Sequence, residues 1–141
     1  MTTEEQIEAY IVGLPDAKRD DMRAVHDRIL RLSPGCRLWF LDGRDETGKI
    51  VSNPNIGYGE LTMRYAGGNT RDFYQIGISA NTSGISIYVM GIDDRKYLAT
   101  TFGPTLGKAS ITGYCIKFKG LRDVNGDALD EVIRFGLGPR T

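Results

Sequence analysis

Apolar residues first repeat at helical spacing. Ile7, Tyr10, Ile11 and Leu14 fall at i, i+3, i+4 and i+7, which puts them on one face of a helix. Thr2 or Thr3 can cap its start, and Glu4 and Glu5 suit the positive end of its dipole. The run Gly13, Leu14, Pro15, Asp16 ends this helix and opens a second, with Asp16 as the expected N-cap. Along the second helix Met22, Val25, Ile29 and Leu32 form the apolar stripe, and Ser33, Pro34 and Gly35 stop it. Glu8, Asp20, Asp21, Arg23, Asp27 and Arg28 mark the solvated sides of the pair.

From Arg37 the period falls to two. Residues 37–41 read as a short strand, and residues 49–51 as its return after a polar turn. A longer strand is expected over 56–65, with Leu61, Met63 and Tyr65 on one face and Glu60, Thr62 and Arg64 on the other. Residues 73–79 come back with Tyr74, Ile76 and Ile78 on one side, and 85–90 follow with Ile85, Ile87 and Val89 together. Short polar loops between these segments predict an antiparallel meander. Asp93 or Asp94 caps a short helix through Tyr97 and Leu98 that stops at Gly103 and Pro104, and residues 105–111 read as a loop. Residues 114–118 make a further strand, with Tyr114, Ile116 and Phe118 opposite Cys115 and Lys117. A last helix carries Leu129, Val132, Ile133 and Leu137.

The expected class is therefore α+β, a two-layer sandwich with an antiparallel sheet of about five strands. Two N-terminal helices, a short middle helix and a C-terminal helix cover it, in a single domain over residues 1–141.

Composition narrows the partners. The 141 residues are 40% apolar and 26% charged, with 18 basic and 18 acidic side chains. A net charge of zero gives no global field for nucleic acid or an acidic membrane. No apolar run approaches the ~20 residues of a membrane helix. Residues 1–10 hold three glutamates and no basic residue, unlike the start of a signal peptide. Cys36 and Cys115 share no metal or redox spacing and read as reduced thiols, in keeping with a cytoplasmic protein.

Several segments imitate known motifs and fall short. Gly103 to Lys108 resembles a phosphate loop, but the glycine spacing is short and Ala109 stands where Ser or Thr would hold magnesium. Asp123, Asn125 and Asp127 resemble the start of a calcium loop, yet Ala128 and Arg134 occupy the positions of its Gly and Glu. A turn that caps the last helix through Asp127 accounts for the same residues. His26, the only histidine, lies beside Met22, Val25 and Ile29 and reads as a packed side chain. An enzymatic role would require His26 or Cys115 to face a pocket.

The richer feature is a set of aromatic and cationic residues on the strands: Trp39, Tyr58, Arg64, Tyr74, Tyr88 and Lys117. A two-layer fold leaves one face of its sheet without helices, so the members outside the core would make a binding face. Trp39, Tyr58, Arg64, Tyr88 and Lys108 are the expected site. The aromatics would supply contact area and the cations would fix a small anionic ligand or a protein partner. An uncovered face or edge would also suit a homodimer. No catalytic constellation and no cofactor are expected.

Three segments together resemble the YdhG-like family, the domain-of-unknown-function family numbered 1801. They are residues 53–65, residues 73–91, and residues 106–121 with the closing helix. With the two leading helices, the resemblance spans nearly the whole chain. Family members often carry Thr-Gly-Lys before the last strand, whereas Thr112 and Gly113 are followed here by Tyr114. The resemblance implies a compact α+β domain. Through relatives similar in fold to frataxin it also implies an alternative, an iron chaperone delivering Fe(II) from surface carboxylates. Glu4, Glu5, Glu8 and Asp16 would then be the ligands.

Overall fold

The computed structural model describes residues 1–138. Its elements are α1 (Thr3–Val12), α2 (Asp16–Leu32), β1 (Leu38–Leu41), β2 (Asn55–Tyr58), β3 (Leu61–Arg64) and β4 (Thr70–Phe73). These are followed by β5 (Ile76–Asn81), β6 (Gly84–Val89), α3 (Tyr97–Leu106), β7 (Ser110–Thr112), β8 (Cys115–Phe118) and α4 (Gly126–Leu137). Six strands pair antiparallel in the order β1-β2-β5-β6-β8-β7, and β3 and β4 form a separate two-stranded hairpin. The class is α+β with helices against a sheet, as expected. No helix among the described residues is long and apolar enough to cross a membrane.

Helix ends follow local chemistry. Thr2 and Glu5 form a reciprocal capping box at α1, each side chain bonded to the other's backbone N–H. At α2 the N-cap is Pro15 rather than Asp16, which is the first helical residue. Asn125, not Asp127, caps α4 by accepting from Ala128 N–H. Helix α3 does not stop at Gly103 and Pro104 but runs on to Leu106. Leu98, Phe102 and Leu106 recur every four residues and are all buried, and this stripe carries the helix past the proline. Of the return strand expected over 49–51, only an isolated bridge between Arg44 and Ile50 forms.

Alternation sorts the sheet into two faces. Ile56, Tyr58, Ile76, Ile78, Ile85, Ile87, Val89 and Ile116 point to the helices and belong to one core with Ile11, Met22, Val25, Ile29, Leu129, Val132 and Ile133. The opposite face carries the row Trp39, Gly57, Gly77, Tyr88, Cys115 and Thr112 across six strands. Among the described residues the helices pack on the other face.

The single long strand expected over 56–65 is broken, and so is its partner over 73–79. Gly59 adopts φ +82°, a left-handed conformation, and the ladder stops at Gly59 and Glu60 on one arm and at Tyr74 and Gln75 on the other. Gln75 repairs the break: its N–H donates to Tyr58 O (2.9 Å) and its Oε1 accepts from Glu60 N–H (3.3 Å). Two residues on each arm, 59–60 and 74–75, leave the ladders, and the alternation changes phase across that bend. Tyr74 therefore leaves the side of Ile76 and Ile78, where alternation placed it, and crosses to the helix-free face. Its ring lies over Gly57 and Gly77, which face each other across β2 and β5. A Cβ at either glycine would fall inside the ring's contact distance.

Gly57→Ala should therefore lower the free energy of unfolding by about 1–3 kcal/mol, measured by urea titration. The penalty should shrink when Gly57→Ala is combined with Tyr74→Ala. An equal penalty in both backgrounds would show that the ring does not set it.

Candidate functional site

The helix-free face is aromatic at its centre. Phe73 stacks on Tyr74 with centroids 4.1 Å apart and meets Trp39 edge-on at 6.0 Å. Tyr88 lies farther along the same face and tilts toward Tyr114 at 6.2 Å. Cations border these rings: Arg37 sits over Trp39 at 3.9 Å and Arg71 over Phe73 at 4.8 Å. Burial pushes the Tyr74 phenol far above its ordinary value and raises Tyr88 as well, so both hydroxyls are neutral donors near neutral pH.

The β3–β4 hairpin turns toward this face. Its pairing puts Leu61, Met63, Arg71 and Phe73 on one side and Thr62, Arg64, Thr70 and Asp72 on the other. Phe73 reaches the sheet through Tyr74 and Trp39. Arg71 joins Leu41 and Asn55 around a cavity of about 390 Å³. At the opposite end, Leu61 and Met63 face Met90, Ile92 and Tyr114 around a second cavity of about 540 Å³. The face is thus partly roofed rather than flat.

The expected site residues do not all gather here. Trp39 does, but its Nε1–H donates to Gly59 O (2.8 Å), so it braces the bend as well as lining the face. Arg37 braces the same point through its contact with Glu60 at 3.4 Å. Tyr88 is half-buried on the face. Arg64 lies on the outward side of the hairpin, at the rim of the larger cavity. Lys108 is exposed after α3, next to the β7 edge, with its N–H on Asp123 O, and lies across the sheet from Trp39.

Tyr58 is a correction. It is fully buried on the helix-facing side, where its hydroxyl and His26 Nδ1 are 2.6 Å apart. Burial holds the phenol well above its ordinary pKa of 10.0, so it keeps its proton, and burial likewise favours the neutral imidazole of His26. The β2 alternation that hid Tyr58 among the isoleucines is the signal that distinguishes it from Trp39 on β1.

His26 and Cys115 stand on opposite faces of the sheet and make no pair. Cys36 and Cys115 are free, half-buried thiols whose pKa values are raised chiefly by burial. Three of the four acids of the iron alternative are engaged, and the fourth, Glu4, is exposed. Glu5 belongs to the capping box, Glu8 takes Arg23 on both oxygens at 2.7 Å, and Asp16 meets Arg19 at 3.1 Å. Among the described residues no three His, Cys, Asp or Glu side chains group to hold an ion.

Sequence reasoning passed over Asn55, Arg71, Phe73 and Tyr114 as site residues. Alternation put Tyr114 inside with Ile116 and Phe118, but it lies in the turn between β7 and β8 and is 53% exposed. The glycines were the available signal: a glycine inside a strand marks a close approach, and Gly57 and Gly77 mark the ring of Tyr74.

Comparison of the chain with protein-family models, with curated proteins and with solved structures finds no match.

Tyr58→Ala is expected to cost about 3–5 kcal/mol of stability, since it empties a core position. Measured by urea unfolding, a loss under ~1 kcal/mol would contradict that placement. His26 makes the fold acid-sensitive. Burial lowers its pKa below 6.5, outweighing Asp27 and Glu8, which raise it, and adding to Arg23, which lowers it. The unfolded chain then takes up the proton first, so stability is full above pH 6.5 and falls as pH drops through the folded pKa. Urea midpoints between about pH 7.5 and about pH 5 should fall less steeply in His26→Gln, which keeps a partner for Tyr58 without titrating.

Proposed function

We propose that the chain is a small cytoplasmic binding module, not an enzyme, that holds an anionic ligand on the helix-free face of its sheet. A place in the YdhG-like family belongs to the same proposal. The observation that carries it is the pairing of an aromatic surface with a cation left free on that surface. Among the described residues no carboxylate lies within ion-pair range of Arg71, whereas Arg19, Arg23, Arg28 and Arg37 each have one. Arg71 lies over the Phe73 ring, and its N–H donors remain for an anion.

The dimensions favour a small molecule. Cavities of about 390 and 540 Å³ flank the hairpin, within the ~300–1,000 Å³ usual for ligand sites. Aromatic walls bury a ligand's apolar part at little entropic cost, because rings have few torsions to freeze.

Trp39 is the only tryptophan and touches both Phe73 and Arg37, so its emission reports events on this face. Small organic anions screened by Trp39 fluorescence and thermal shift should give saturable changes in the parent protein. Arg71→Ala and Tyr88→Ala should weaken them by about tenfold or more, with Arg71→Ala leaving the melting temperature in the absence of ligand unchanged. Ligands that stabilise all three proteins equally would place binding elsewhere and overturn the reading.

A further inference from the structure

The smaller cavity carries a more specific demand. Asn55 opens β2 on the helix-free face, and its Oδ1 is the one buried side-chain polar atom, among the described residues, that lacks a hydrogen-bond partner. Its Nδ2 donates to Asn53 O at 3.5 Å. An acceptor stripped of water and left unpaired is costly, and native structures keep few of them. The terminal torsion of an Asn is broad, so a small rotation of the amide presents that oxygen to the cavity it lines.

The other charged groups around the cavity each have a backbone partner. Arg44 Nη1 donates to Gly48 O (2.9 Å), and Asp42 Oδ1 accepts from Arg44 N–H (2.9 Å). Their formal charges offset each other. What is left over is one free guanidinium, Arg71, and one orphaned acceptor, Asn55 Oδ1, on the wall of the same space of about 390 Å³. A ligand complementary to both carries an anionic oxygen pair for the fork of Arg71 and an O–H or N–H donor for Asn55.

We infer that this cavity is a subsite for a small hydroxy- or amino-carboxylate, with its carboxylate on Arg71 and its donor on Asn55 Oδ1. The inference rests on the binding role proposed for the helix-free face and assigns that face a ligand class. The carboxylate supplies the attraction, and the donor supplies the discrimination. A simple carboxylate that enters the same space leaves Asn55 unpaired.

Backbone amide NMR of the full chain, titrated with glycolate, glycine and acetate, tests this. Glycolate and glycine should shift the amides of Val51, Ser52, Asn55 and Arg71 saturably, at the millimolar level expected of ligands with so few atoms. Acetate should bind the same residues about tenfold more weakly. Arg71→Gln, on an exposed strand, should remove all three, and Asn55→Ala should bring glycolate and acetate to parity. If Asn55→Ala fails to fold, the acetate comparison in the parent protein and Arg71→Gln still decide the matter.

Equal affinity for glycolate and acetate, or no saturable shift at these residues, overturns the subsite. Shifts centred on Tyr88 and Tyr114 would also overturn it while leaving the face as the binding surface. Shifts confined to the helices, with Trp39 emission unchanged, would overturn both.

Discussion

The ring of Tyr74 occupies the space above Gly57 and Gly77 that two side chains would otherwise fill, and the layout of the helix-free face follows from it. A strand pair with side chains at those positions would continue straight as one long hairpin. With glycines there, the chain folds a phenol flat against the backbone. That requires a change of phase between the arms, supplied at Gly59, Glu60 and Gln75. The distal half then swings over the sheet as β3 and β4, bringing Phe73 onto Tyr74 and Arg71 above Asn55. Glycine gives up packing and rigidity within a strand, and here the loss is offset by the ring that takes its place.

The two faces of the sheet treat ionisable groups in opposite ways. Beneath it, His26 and Tyr58 satisfy each other in an apolar core, where neutrality is the cheaper state for both. Above it, guanidinium groups lie on ring faces, where they keep their charge and part of their hydration. The His26–Tyr58 pair is therefore sequestered under the helices, and permanent charge is displayed on the outside.

Much of this fold is written in periodicity. The stripes Ile7–Leu14 and Met22–Leu32, and the alternation through Ile76, Ile78, Ile85, Ile87 and Ile116, mark out the layers without ambiguity because each residue set has only one way to reach a core. What escaped were the places where a local signal lost to tertiary packing. Pro104 reads as a stop, yet Leu98, Phe102 and Leu106 need the turn beyond it. Tyr74 continues the alternation of Ile76, yet the bend at Gln75 sends it to the other side. The site was half legible for the same reason. Trp39 and Tyr88 follow the alternation of β1 and β6, whereas Arg71 and Phe73 reach the face only through a bend that no pattern of two or 3.6 encodes.

Gln75 has a reach beyond the strands it joins. Its Nε2 donates to Gly138 O at 3.3 Å, at the end of α4, while its Oε1 holds the Glu60 amide and its carbonyl accepts from Met90 N–H at 2.9 Å. One side chain thus clamps the root of the hairpin to the last turn of the helical layer. Helix ends fray and hairpin flaps lift on their own in most proteins, each as a low-energy local opening. Here the two share a clamp, so loosening the flap strips the helix end of a partner, and fraying of α4 frees the flap.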